Sequence, residues 1–184
     1  MTSVVQPRAL FLDRDGVINI DSGYLYCPDQ MVFVEGIFDL CRHAHGLDYQ
    51  IVVVTNQSGI GRGYFSEADF QTLTTWMEGV FAEQGCPITR VYFCPYHPTA
   101  GLGPYRRDSN WRKPAPGMIL AAAQELNLDL VNSVLVGDRP RDIAAAQAAG
   151  VGCTLLYGDP VDASDCIQPT AMVSRLSQVH TYLL

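Results

Sequence analysis

Ala9-Leu10-Phe11-Leu12-Asp13-Arg14-Asp15-Gly16-Val17-Ile18-Asn19 opens with an apolar run sized for a buried strand and closes that run on two carboxylates one residue apart. Strand side chains alternate between faces, so Asp13 and Asp15 would point the same way if the strand ran on. Gly16 breaks the strand and lets the backbone turn tightly. Two acids at the open end of a parallel strand make a seat for a divalent cation, a place for phosphate chemistry. Alone, such a pair also ends many strands as solvated acids, so its meaning depends on the rest of the chain.

Outward from this run, apolar β-rich segments recur at Ile51–Val54, Val91–Phe93, Val134–Val136 and Cys153–Tyr157. Helical patterns alternate with them. Gly36–His45 is amphipathic. Glu67–Gln84 has Ser66 placed to cap it, Asp69 at the reciprocal position, and Phe65 and Phe70 to staple its entry. Gly117–Asn127 follows Pro116, and Arg141–Ala149 stops at Gly150. Thr170–Leu184 reads as a terminal helix with Val173, Leu176, Val179 and Leu183 on one face. Strands alternating with helices predict an α/β fold: a doubly wound parallel sheet in three α/β/α layers, with the first strand central. No repeat or second domain interrupts residues 1–184, so a single domain is expected. Pro95–Pro116 is the one long irregular stretch, and loops of that length in compact domains are usually functional.

In open parallel sheets ligands bind beyond the carboxyl ends of the strands. The strand at Ile51–Val54 ends in Thr55-Asn56-Gln57-Ser58-Gly59, offering hydroxyls, amides and exposed N–H groups suited to phosphate oxygens. The strand at Val134–Val136 ends in Gly137-Asp138-Arg139-Pro140-Arg141-Asp142, adding two acids and two arginines. Arg112-Lys113-Pro114 stands just ahead of a helix. Acids for a cation, a threonine for oxygen contacts and a fixed lysine are the parts phosphoryl transfer requires.

The 184 residues suffice to bury roughly 70% of the surface of the unfolded chain. A net charge of −7 disfavours nucleic acid and anionic membrane as partners. The six cysteines, Cys27, Cys41, Cys86, Cys94, Cys153 and Cys166, are scattered without a Cys-x-x-Cys, which reads as reduced thiols in a cytoplasmic protein. Met1–Pro7 is too short and polar for a signal peptide, and no apolar run approaches the roughly 20 residues of a membrane span.

The order Asp-x-Asp-Gly, Thr, Lys, Gly-Asp-x-x-x-Asp resembles the haloacid dehalogenase superfamily of phosphohydrolases. Phe11–Asn19, Asp21-Ser22-Gly23-Tyr24, Thr55–Gly63, Cys94-Pro95-Tyr96-His97-Pro98, Arg112-Lys113-Pro114 and Val136-Gly137-Asp138 resemble one branch of it, the histidinol-phosphatases and D-glycero-D-manno-heptose 1,7-bisphosphate 7-phosphatases. The resemblance covers about Leu10 to Tyr157. It implies a fold without a large cap domain, in keeping with the absence of long insertions before Thr55 or Lys113. It implies catalysis by Asp13 as nucleophile and Asp15 as general acid/base, with Thr55 and Lys113 holding phosphoryl oxygens. Mg²⁺ would be held by the Asp13 carboxylate, the Asp15 backbone carbonyl and Asp138, with Asp142 orienting a metal-bound water or its neighbours. Arg14, Asp21, Ser22, Gly23, Tyr24, Asn56, Gln57, Ser58, Arg112 and Arg139 would contact the substrate, a small sugar phosphate, and a monomer is expected.

Many members of the branch carry a structural zinc on a Cys-x-His and a later Cys-x-Cys before the Arg-Lys-Pro. Here Cys94 remains, but Tyr96, Ser109 and Trp111 occupy the other three ligand positions, so zinc is not expected. The loop is expected to rely on packing by Tyr105 and Trp111, with Arg106 and Arg107 available for a second phosphate, a surface acid or solvent. The resemblance favours hydrolysis of the C7 phosphate of a heptose 1,7-bisphosphate. Histidinol phosphate is the rival substrate, a 3′-phosphorylated polynucleotide a poorer one. A receiver-like phosphoacceptor that does not turn over, or a degenerate pseudo-enzyme, is the reading from another class.

Overall fold

The computed structural model describes residues 6–158 and 168–184; Cys166 lies outside them. Six parallel strands form one sheet in the order β3-β2-β1-β4-β5-β6. They are β1 (Arg8–Leu12), β2 (Tyr49–Asn56), β3 (Arg90–Cys94), β4 (Val134–Gly137), β5 (Cys153–Tyr157) and β6 (Ala171–Val173). The first strand is interior, as its unbroken apolar run requires. Alternation along the strands divides the core into two layers. Leu10, Leu12, Ile51, Val53, Val134 and Val136 face α1 (Ile37–Gly46), α3 (Glu67–Glu83) and the C-terminal segment. Ala9, Phe11, Val52, Val54 and Leu135 face α4 (Gly117–Leu126) and α5 (Pro140–Ala149). Each buried Val, Leu, Ile or Phe side chain among these contributes about 1.5–3 kcal/mol.

The expected caps are present. The Ser66 hydroxyl accepts from the Asp69 amide at 3.1 Å, while the Asp69 carboxylate accepts from the Ser66 amide at 2.8 Å. Phe65 and Phe70 share a small cluster with Ile60, and Gly150 closes α5 in the left-handed conformation. The five described cysteines are unpaired. Among the described residues no helix is long and apolar enough to cross a membrane.

The C-terminus corrects the expected helix over Thr170–Leu184. Ala171–Val173 adds β6 to the sheet edge, and Leu176–Tyr182 winds as a 3-10 helix. Val173, Leu176, Val179 and Leu183 are all buried. Spacings of three and four residues fit a 3-10 turn nearly as well as an α-helix over so short a run. Thr170 decides between them: its amide bonds to the Thr154 carbonyl at 2.8 Å, starting strand pairing instead of a helical turn.

Candidate active site

The carboxyl ends of β1, β2 and β4 open into one crevice of about 210 Å³. Asp13, Asp15, Asp21, Gly23, Tyr24, Thr55, Asn56, Gln57, Ser58 and Asp138 line it. Asp13 prolongs β1, its amide bonding to the Val136 carbonyl at 3.1 Å. The chain then curls back, with the amides of Ile18 and Asn19 bonding to the Arg14 carbonyl. Gly16 permits that curl at φ +95°, and its bare Cα makes room for Asp138, whose carboxylate a Cβ would overlap. Gly137 does the same for Asp142.

Lys113 is the electrostatic centre. It is 2% exposed, and its Nζ lies 2.8 Å from the Val54 carbonyl, 2.9 Å from Asp13 Oδ1 and 2.7 Å from Asp142 Oδ1. The first is a hydrogen bond and the other two are buried ion pairs. The lysine expected to hold phosphoryl oxygens thus stands directly against the Asp13 carboxylate at the crevice. Burial works to push the Lys113 pKa down, but Asp13 and Asp142 outweigh it and hold the ammonium above its ordinary value. One ammonium cannot balance the acids around it. Burial, together with Asp142 and Asp138, raises the Asp13 carboxyl well above the usual carboxylate range despite Lys113. Asp138 is pushed up to about 6, by burial first and Asp142 second.

This surplus of buried negative charge is the signature of a cation site. Asp13, Asp138 and Asp142 bring carboxylate oxygens within 4.8 Å of one another, and Asp138 Oδ1 is buried with no partner. Hard oxygen donors with an unsatisfied valence fit Mg²⁺.

The loop ends supply the supporting bonds. Thr55 Oγ1 accepts from Gln57 Nε2 at 2.8 Å, which leaves its own hydroxyl proton to donate. Gln57 Nε2 also reaches Asp15 at 2.9 Å. The Asn56 amide binds the Lys113 backbone at both ends, accepting from its N–H and donating to its carbonyl at 3.0 Å each. Asn56 thus sets the lysine as well as lining the crevice. Arg139 Nε lies 3.1 Å from Asp138, and Asp21 accepts from the Gly23 amide at 3.0 Å.

Three expected substrate contacts stand elsewhere. Arg14 is 1% exposed and lies behind Asp15, giving it hydrogen bonds from Nε and Nη2 at 2.9–3.1 Å and reaching the Leu25 carbonyl. There it orients Asp15. Ser22 lines a separate hollow with Tyr26 and Gln30. Arg112 lines another beside Asp108 and Asn110, its Nη1 donating to the Tyr96 carbonyl at 3.2 Å. Two residues outside the expected set, Gly59 and Arg141, line the crevice, and a third, Arg62, touches its wall. Arg141 stands in the first turn of α5, and Arg62 donates to the Tyr24 hydroxyl at 3.1 Å. Asp142, expected to orient a metal-bound water or its neighbours, is fully buried against Lys113 and caps α5 by accepting from the Arg139 amide at 2.9 Å.

The family model described as HAD-hydrolase-like matches residues 110–179. The chain is 56% identical over 168 residues to the D-glycero-alpha-D-manno-heptose-1,7-bisphosphate 7-phosphatase of Burkholderia mallei, covering 91% of this chain and 88% of that protein. The chain belongs to the heptose-bisphosphate phosphatase family of the haloacid dehalogenase superfamily. Another family member, the D-glycero-beta-D-manno-heptose-1,7-bisphosphate 7-phosphatase of Vibrio cholerae, is 44% identical across 96% of both chains. The crystal structure of D,D-heptose 1,7-bisphosphate phosphatase from B. bronchiseptica, complexed with magnesium and phosphate, superposes with a TM-score of 0.79 at 29% identity, covering 96% of this chain and 97% of that one.

Proposed function

We propose that this chain is a Mg²⁺-dependent phosphohydrolase that removes the C7 phosphate of D-glycero-D-manno-heptose 1,7-bisphosphate, in the α-anomeric form, on the way to nucleotide-activated heptose. One observation carries the reading: Asp13, Thr55, Lys113 and Asp138 come from four separate segments and meet at one crevice. The relative at 56% identity is named for the α-anomer and that at 44% for the β-anomer, which supports the choice of anomer and favours the heptose over histidinol phosphate.

Asp13 Oδ attacks phosphorus, and the bond from phosphorus to the C7 oxygen breaks. Asp15, held by Arg14, Asn19 and Gln57, gives its proton to the departing oxygen. Asp15 then takes a proton from water as the water oxygen attacks the aspartyl-phosphate, which frees Asp13 and releases inorganic phosphate. Asp13, the Asp15 backbone carbonyl and Asp138 are the residues that would hold Mg²⁺. When bound, the ion neutralises charge on the transferring group. Thr55 donates its free hydroxyl proton to a phosphoryl oxygen, and Lys113 keeps Asp13 in place and offsets its charge. Arg141 lines the crevice, and Arg139 and Arg62 stand against its lining residues Asp138 and Tyr24, cations that a second phosphate of the substrate would meet. A monomer is the working unit of this reading. A single domain over 1–184 fits the one continuous sheet, and a cytoplasmic location fits the five unpaired cysteines among the described residues.

The test is phosphate release from both anomers of the heptose bisphosphate, histidinol phosphate and a 3′-phosphorylated oligonucleotide. The α-bisphosphate should give the largest kcat/KM, and chelation should abolish turnover until Mg²⁺ is restored. A larger kcat/KM for histidinol phosphate would reverse the substrate assignment. Labelling of the protein without repeated turnover would replace the enzyme by a phosphoacceptor. A second expectation concerns Gly16. Gly16→Ala strains a positive φ and drives a methyl into the Asp138 carboxylate. The Mg²⁺ concentration for half-maximal rate should rise on the order of tenfold or more. An unchanged Mg²⁺ requirement would remove Asp138 from the ion.

A further inference from the structure

The segment from Cys94 to Lys113 delivers Lys113 to the crevice, yet its regular structure is a single 3-10 turn at Gly103–Tyr105. Something other than a backbone ladder must hold it. A closed zinc site takes four sulfur or nitrogen ligands, and the donors here do not fit one. Cys94 is buried and is the one cysteine of the segment. His97 Nδ1 already accepts from the amides of Ala100 at 3.0 Å and Thr99 at 3.3 Å. Tyr96, Ser109 and Trp111 offer no such ligand. Among the described residues, Asp13, Asp138 and Asp142 are the one group of three potential metal ligands, and they lie in the crevice.

Other bonds grip the segment instead. The Arg107 guanidinium lies over the Tyr96 ring, 3.8 Å from its centroid, and the Tyr105 ring stands 6.1 Å from the same ring. The amides of His97 and Arg107 both donate to the Tyr105 carbonyl at 3.1 Å, and Arg106 Nε donates to the Thr99 carbonyl at 2.9 Å. The turn is moored to its surroundings by the Leu102 amide on the Gly61 carbonyl and the Tyr105 hydroxyl on Glu67. Tyr96 is held twice, on its ring by Arg107 and at its carbonyl by Arg112, the residue next to Lys113. Trp111, at the far end of the segment, packs edge-on near Tyr92 of β3, ring centroids 6.1 Å apart.

We propose that Arg107 and Tyr96 form a metal-independent clasp that holds the β3–α4 segment and, through Arg112, positions Lys113 at the crevice. Arg107 is a positioning residue, distant from the reacting atoms. The metal and stability consequences stand on geometry alone; only the kinetic consequence rests on the phosphatase reading above.

The test combines metal analysis, melting and kinetics on the full chain. The purified protein should carry far less than one zinc per chain, and its Tm should not fall when a zinc chelator is added in the presence of excess Mg²⁺. Arg107→Ala should lower the Tm by about 2–4 °C. It should raise KM for the heptose bisphosphate about fivefold while leaving kcat within about twofold. Tyr96→Phe keeps the ring and should match the parent. Tyr96→Ala should behave as Arg107→Ala does, and the double variant should be no worse than either single one. Stoichiometric zinc with a chelator-sensitive Tm would overturn the clasp, as would an Arg107→Ala protein indistinguishable from the parent in both Tm and KM. If the parent shows no phosphatase activity but the metal and melting results hold, the clasp stands and the functional reading fails.

Discussion

Asp13→Asn protein is expected to fold normally and to lose phosphate release by at least about 10⁴-fold, the scale on which removal of a nucleophile is felt. The amide keeps the shape of the carboxylate and removes the attacking oxygen. Folding should survive because Asp13 is one of three carboxylates crowded around a single ammonium. Burial and the neighbouring Asp142 and Asp138 already disfavour its charge, so neutralising it relieves repulsion even as it gives up an ion pair with Lys113. The Tm should therefore equal or exceed that of the parent while turnover vanishes. Phosphate release and a melting curve on the same preparation check both halves. Turnover within tenfold of the parent would remove Asp13 from the chemistry.

Lys113→Met should do the opposite, harming stability and activity together. The substitution leaves the Val54 carbonyl, Asp13 and Asp142 buried without their shared partner. Breaking a buried pair from one side costs about 3–5 kcal/mol, which for a chain of this size lowers Tm by on the order of 10 °C. Adding Asp142→Asn should recover part of that loss by removing one stranded charge, and should recover no activity. A Lys113→Met protein as stable as the parent would mean that the acids are neutralised in some other way. These two variants separate the roles that meet at the Asp13–Lys113 contact: chemistry for the acid, charge balance and placement for the base.

The strands that build the site were legible because burial on both faces leaves an unbroken apolar signature, as in Leu10–Leu12 and Ile51–Val54. Chain ends of those strands could then be inspected for chemistry, and Asp13, Thr55 and Asp138 stood there. The Ser66–Asp69 cap was legible because it is a local pattern with a local cause. Side-chain direction within loops was not. Arg14 reads as a cation beside two acids, but the curl at Gly16 turns it behind Asp15. Asn56 reads as a substrate amide, yet it holds the backbone of a residue 57 positions later. Asp142 and Arg141 sit side by side in sequence, and only the entry of α5 sends one to Lys113 and the other to the crevice. The terminal segment failed for a different reason: its apolar spacing suits two kinds of helix, and the pairing of Thr170 with Thr154 that settles its start is a long-range contact.

The central claim is that Asp13 carries the phosphoryl group, and sodium borohydride tests it most directly, because it reduces an acyl phosphate to an alcohol. The protein should be treated during turnover of the heptose bisphosphate with Mg²⁺ present, digested and analysed by peptide mass. Recovery of position 13 as homoserine, absent without substrate and absent from Asp15→Asn protein treated without substrate, is the expected result. Reduction confined to another carboxylate, with Asp13 recovered intact under steady turnover, would contradict the account.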